Sequence, residues 1–345
     1  MKGLTARLLL AVVALVALLA AGCGGNDSDN SSGSTSSKST ASGASTSTSA
    51  QNVDLTQGSG LTFAMVTHSD EGSFWSVVKK GAEQAAKDEG VKLIWSPSNN
   101  DPQKQAQLID AAISQKVDGL AVSVPNADAI KGSLAKAKAA GIPIVTLNSG
   151  ADDFKALGAI THVGQTEEIA GKAAGAKLKE AGAKKVLCVI HEQNNIGLQQ
   201  RCQGVKEGFG GDVTNLQVKG TADIATTQTE IKSKLQADKS YDAVMTLNPD
   251  IASAAKTAIK GASSNAKLAT FDLSGQLIKD IESGNVLFAV DQQQYLQGYL
   301  PVVFLKLYKT NANTVGGGLP VLTGPGFVDK SNAATVAKLA ENGTR

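Results

Sequence analysis

Residues 61–95 read LTFAMVTHSDEGSFWSVVKKGAEQAAKDEGVKLIW. The stretch opens on an apolar run, 61–67, of the length expected for a buried strand. A polar loop follows, and then Phe74, Val77, Val78, Gly81, Ala82, Ala85 and Ala86 recur at i, i+3, i+4, i+7, i+8, i+11 and i+12. That spacing puts one continuous apolar face on a helix. A second short strand, 91–95, closes the unit. Strand, helix, strand is the crossover that parallel pairing requires.

The same alternation continues in both halves of the chain. Further strands are expected at 119–124, 142–147 and 157–162, and a second series at 185–190, 215–218, 243–247, 267–271 and 286–290. Asp101-Pro102 opens the second helix with a capping side chain and an N1 proline. Gly141, two residues before Pro143, closes the third. Two series of about five strands predict an α/β fold of two doubly wound parallel-sheet lobes. About 285 residues suit two domains better than one.

The chain ahead of this region has a different composition. Lys2 and Arg7 precede an unbroken apolar run of 14 residues, 8–21. A bilayer-spanning helix needs about 20, so the run reads as a secretory signal, 1–22. It ends in Leu19-Ala20-Ala21-Gly22-Cys23. This resembles the bacterial lipoprotein signal and implies lipidation at Cys23. Residues 23–58, rich in Ser, Thr and Gly, cannot offset their ordering entropy by burial and read as a tether. In an exported chain the remaining cysteines, Cys188 and Cys202, are expected to pair, one on a strand and one on the helix after it.

The net charge of +2 and the scattered basic residues give no nucleic-acid footprint. Signals for catalysis are weak. The histidines are His68, His162 and His191. His191-Glu192 lacks the second histidine of a zinc-protease helix. Gly171-Lys172-Ala173 has Thr166 where a phosphate-binding loop needs its first glycine, and no Gly-x-Ser-x-Gly elbow occurs. The reading is therefore a non-enzyme without metal or cofactor.

In open parallel sheets, ligands sit beyond the carboxyl ends of the strands. That rule selects 68–75, Pro125-Asn126, Asn148-Ser149-Gly150, 191–195, Asn248-Pro249-Asp250, Asp272-Leu273-Ser274 and 291–294. These loops are rich in Asn, Gln and Asp, and almost free of Lys and Arg. Amides and carboxylates can each hold two hydroxyls. Phe74 and Trp75 stand beside them in a chain with only 4% aromatic residues. Phe74 also fits the helix's core stripe; Trp75 falls off it.

From about residue 61 to 329 the chain resembles the type I periplasmic binding proteins of the ribose/galactose kind, which serve ABC sugar importers. The markers are Ser73-Phe74-Trp75-Ser76, Val117-Asp118-Gly119-Leu120, Gly141-Ile142-Pro143-Ile144-Val145, Arg201-x-x-Gly204, Thr270-Phe271-Asp272 and Asp291-Gln292 with Gln297-Gly298. The resemblance implies Phe74 and Trp75 stacked on a sugar ring, with Asn148, Asn248, Asp272 and Gln292 holding hydroxyls. His68 is a further candidate contact. Gln199 falls where ribose-type members often carry a ligand-binding arginine. Asn148-Ser149 replaces an Asp-Arg pair, and Gly72 replaces a polar residue; two arginine positions are therefore neutral, which argues against ribose itself and against an anionic ligand. Three crossings are implied near Val163-Gly164, Gln292-Gln293 and Leu322-Thr323. They divide the chain into a first lobe, 59–163 plus 293–322, completed by a helix at 295–308, and a second, 164–292 plus 323–345. The implied function is capture of a neutral monosaccharide or polyol by lobe closure and delivery to an ABC permease, from a monomer lipid-anchored outside the cytoplasmic membrane. A receptor presenting sugar or autoinducer to a membrane sensor is the alternative.

Overall fold

The computed structural model describes residues 60–345. The signal, the tether and Cys23 lie outside the described residues. The chain runs β1 (Thr62–Thr67), α1 (Gly72–Asp88), β2 (Lys92–Pro97), α2 (Pro102–Ser114), β3 (Gly119–Ser123), α3 (Ala127–Ala139), β4 (Ile144–Asn148) and β5 (Thr161–Gly164). It continues through α4 (Glu167–Glu180), β6 (Lys185–Ile190), α5 (Ile196–Phe209), β7 (Asp212–Gln217), α6 (Ile224–Ala237), β8 (Ala243–Thr246), α7 (Pro249–Gly261), β9 (Lys267–Phe271), α8 (Gly275–Glu282) and β10 (Phe288–Asp291). It ends with α9 (Gln294–Asn311), β11 (Val321–Leu322), β12 (Gly326–Asp329) and α10 (Ala333–Glu341).

These strands make two six-stranded sheets, ordered β11-β5-β4-β3-β1-β2 and β12-β10-β9-β8-β6-β7. All pairs are parallel except β10 with β12. Each sheet buries both faces, as parallel sheets flanked by helices must. Along β1, Phe63 and Met65 join one apolar cluster while Ala64 and Val66 join another. Along β6, Val186, Cys188 and Ile190 face α5, and Leu187 and Val189 face the opposite layer. Cys202 of α5 is bonded to Cys188, with Cα atoms 5.9 Å apart.

The α4–α5 pair packs closely because glycines remove side chains at the contact: Gly171 lies on the Arg201 carbonyl and Gly204 on the Glu168 carbonyl. Gly298 lies likewise on the Val78 carbonyl, which brings α9 against α1 although the two are far apart in sequence.

Two expected strands differ in position, and one strand is new. The strand expected at 157–162 is Thr161–Gly164. Leu157 is buried as a core plug, and Gly158, at φ +78°, breaks the extended path. The strand expected at 215–218 begins at Asp212, because pairing with β6 extends a polar edge strand that hydropathy cannot see. Gly326–Asp329 was not expected as a strand; its antiparallel register with β10 supplies its partner.

Candidate functional site

Carboxyl ends of strands from both sheets meet at one cavity. Its walls carry His68, Glu71, Phe74, Trp75 and Asn148 from β1, α1 and β4. Facing them are His191, Glu192, Asn195, Leu198, Arg201, Thr221, Leu247, Asn248, Asp272 and Gln292. Of the residues singled out from sequence, His68, Phe74, Trp75, Asn148, Asn248, Asp272 and Gln292 come together here.

Gln199 does not join them. It is exposed, and its side-chain amide donates to the Gln193 carbonyl, 3.1 Å away. Asn195, Leu198 and Arg201 share one face of α5 at a spacing of three; Gln199 is one residue, about 100°, off that face.

The aromatic wall is built in the first lobe. Phe74 and Trp75 meet edge to face at 5.1 Å, and His68 meets Trp75 in the same way at 4.9 Å. Both rings also belong to the apolar cluster under α1, so Trp75 is core and cavity wall at once. Position off the helical stripe does not expose it.

The polar wall is a hydrogen-bonded relay. Asn148 Nδ2 donates to Gln297 Oε1 at 3.3 Å, Gln297 Nε2 donates to Gln292 Oε1 at 2.8 Å, and Gln292 Nε2 donates to Asp272 Oδ1 at 2.6 Å. Gln297 Nε2 also reaches Thr323 Oγ1 at 3.2 Å, where the last crossing passes. Asn148 and Asp272 both take positive φ, 62° and 68°, immediately after or at the ends of β4 and β9. Asn and Asp tolerate this left-handed corner better than other residues with a Cβ. Asn248 spends its Oδ1 capping α7, at 2.7 Å from the Asp250 amide.

Charge in the cavity is largely paired. Arg201 donates from Nε and Nη2 to Glu167 at 2.6 and 2.9 Å and lies 4.7 Å from the Phe271 ring. His68 Nε2 is 3.4 Å from Glu192 across the cleft. Burial alone would raise the Glu192 carboxyl; the charge and hydrogen bond of His68, with His191, hold it down at about 2. Burial pushes Asp272 up to about 7, against the pull of Arg201 and Gln292. His191 Nδ1 is buried and has no hydrogen-bond partner among the described residues.

The cleft is shut. Ser149 Oγ donates to Asn195 Oδ1 at 3.0 Å, and the Ile196 amide donates to the Pro125 carbonyl at 3.1 Å. Glu71, His191, Glu192 and Asn195 lie in loops that the strand-end rule selects, but no residue-level signal marks them as ligand contacts. The spacing of Asn195, Leu198 and Arg201 would have added the α5 face.

Two open α/β lobes, with a closed polar-aromatic cavity between them and a triple crossing beside it, define a cleft-type ligand-binding protein. The comparisons agree. Residues 63–312 match the periplasmic binding protein domain family, and the chain belongs to that family. The ribose import binding protein of Haemophilus influenzae is 26% identical over 246 residues, covering 70% of this chain and 83% of that protein. The xylitol-binding protein of Mycolicibacterium smegmatis is 37% identical over 84 residues, 24% of each chain. A carbohydrate transporter from Acidothermus cellulolyticus, solved with myo-inositol, is 47% identical with a TM-score of 0.81, covering 83% of this chain and all of that one.

Proposed function

We propose that this chain is the extracytoplasmic solute-binding component of an ABC importer, and that its ligand is a neutral, polyhydroxylated ring, myo-inositol first among those to test. The observation that carries the reading is that Trp75 and the hydrogen-bonded Asp272–Gln292 pair line one cavity. An aromatic face covers ring C–H groups, while a carboxylate and an amide hold hydroxyls. Acidic groups in the cavity outnumber the one arginine, which Glu167 already engages; this disfavours an anion. The similarity to the myo-inositol complex supports a cyclic polyol.

Closure follows from a ligand that touches both lobes, since it binds the shut form more tightly than the open one. The lobes are 59–163 plus 293–322, and 164–292 plus 323–345. Among the described residues no helix is long and apolar enough to cross a membrane. Membrane attachment is assigned to lipid on Cys23, with the tether holding the lobes within reach of the permease. A Cys188–Cys202 bond suits an oxidising compartment outside the cytoplasm.

Thermal denaturation with myo-inositol, ribose, xylose, arabinose and xylitol tests the ligand class. A ligand at 100 times its Kd adds about 2.7 kcal/mol to the native state, so at least one neutral polyol should raise the Tm. No shift with any of them, together with a shift from a sugar acid or phosphate, overturns the reading.

A further inference from the structure

Asp250 stands outside the ligand cavity. It lies in the first turn of α7, its own amide held by Asn248 Oδ1 at 2.7 Å. A carboxylate there is favoured by the helix dipole. From α7 it reaches across to the other lobe. Asp250 Oδ2 accepts the Ser73 amide at 3.0 Å, and Ser73 Oγ donates to Oδ1 and Oδ2 at 3.3 and 3.2 Å.

Ser73 is the second residue of α1, the helix that carries Phe74 and Trp75. That helix receives no side-chain cap from its own N-cap residue, Glu71, and has no acid in its first turn. One of its free amides, that of Ser73, is served by a carboxylate 177 residues away. One carboxylate therefore sits at two helix N-termini, one in each lobe. Residue 72 is glycine for two reasons. Its φ is +79°, and a Cβ there would stand 2.5 Å from Asp250 Oδ2. Next to this contact, Thr221 Oγ1 donates to Glu71 Oε2 at 3.3 Å, a further bond across the cleft.

We propose that Asp250 is a closure residue: it caps α1 from the opposite lobe only while the cleft is shut, and so sets ligand affinity without touching ligand. The proposal rests on the reading that ligand binds in the cavity between the lobes. Opening returns the carboxylate and the α1 amides to water, so the bond favours the shut form alone and shifts the equilibrium toward it. A bound ligand leaves only after opening, so the effect falls on dissociation. Asn248, on the cavity wall, holds the Asp250 amide and ties the contact to the site.

Stopped-flow tryptophan fluorescence with myo-inositol reads both rates. Asp250→Ala should dissociate about tenfold faster, the loss expected for charge-assisted hydrogen bonds, with association changed less than about twofold and the ligand-free Tm unchanged. Asp250→Asn, which keeps an acceptor and loses the charge, should fall between. Unchanged dissociation in Asp250→Ala, or a loss confined to association, overturns the proposal. If the wild type does not respond to myo-inositol, that ligand assignment fails separately. The closure role is then read by energy transfer between dyes on Lys131→Cys and Lys260→Cys, at a fixed concentration, near the wild-type Kd, of whichever polyol raises the Tm. A longer mean separation in Asp250→Ala supports it; equal separations overturn it.

Discussion

Strand for strand, the sheet order of the first lobe, 11-5-4-3-1-2, parallels that of the second, 12-10-9-8-6-7, yet the two lobes bring different chemistry to the cleft. Asn148 at the end of β4 and Asp272 just after β9 occupy matching left-handed corners. Beside these corners the side chains diverge. The first lobe offers three rings, Phe74, Trp75 and His68. The second offers Glu192, Arg201, Asn248, Asp272 and Gln292. Their internal supports differ too. Met65, fourth in β1, is packed by apolar neighbours; Cys188, fourth in β6, is bonded to α5. A repeated scaffold thus fixes where a residue stands, while the side chain placed there decides which part of a sugar-like ring it can hold.

If Trp75 belongs to both core and cavity, its truncation should harm the first lobe even without ligand. Trp75→Ala should cost about 3–5 kcal/mol, the range for emptying a buried aromatic site, measured by denaturant titration of the ligand-free protein. Trp75→Phe should keep most of that stability and still weaken ligand binding. A stable Trp75→Ala variant would show that the ring is only a cavity wall.

The second lobe should be the one that depends on its disulfide. Closing a short loop is worth about 3 kcal/mol at most in the chain-entropy model. Cys188→Ala/Cys202→Ala should raise hydrogen exchange in the second lobe's strands and leave β1 and β3 unchanged. Mass spectrometry of the exported protein without reduction should find the two peptides linked; two alkylatable thiols would remove this distinction between the lobes.

Asp272 sharpens the comparison from the ligand's side. Asp272→Ala strands hydroxyls that the buried carboxylate would hold, at about 1–3 kcal/mol per group. Calorimetric titration should show at least tenfold weaker binding, with the ligand-free Tm nearly unchanged. Wild-type affinity in this variant would move the site elsewhere.

Spread over several pH units, the last effect is a difference in slope. Asp272 is raised to about 7, so the native state holds a proton that the unfolded chain releases above about pH 4. Its contribution to stability is present below that pH and is lost as pH rises to 7. His162, in β5, is pushed down by burial to about 4. The unfolded chain takes up that proton first, so stability is lost as pH falls from about 6.5 to 4. Each group contributes up to about 1.4 kcal/mol per pH unit crossed. Denaturant titrations of the ligand-free protein from pH 7 to 4 should therefore fall more steeply for Asp272→Asn than for wild type, and less steeply for His162→Gln. Parallel profiles would show that neither group is shifted.

What the sequence determined was local. Period-3.6 stripes placed α1, caps such as Asp101 placed helix starts, and strand ends pointed to the loops that line the cavity. These signals survive because each depends on neighbours within a few residues. Tertiary structure decided the rest. Leu157 looks like strand and is a plug; β12 exists only because β10 lies beside it. Gln199 and Arg201 sit two residues apart on one helix; their spacing separates them by face, and packing turned the Arg201 face to the cleft. Asn195 meets Ser149, His68 meets Glu192, and Asp250 meets Ser73 across distances along the chain that no local pattern encodes. Those contacts exist because two sheets, each complete in itself, close on one another and bring their carboxyl ends together.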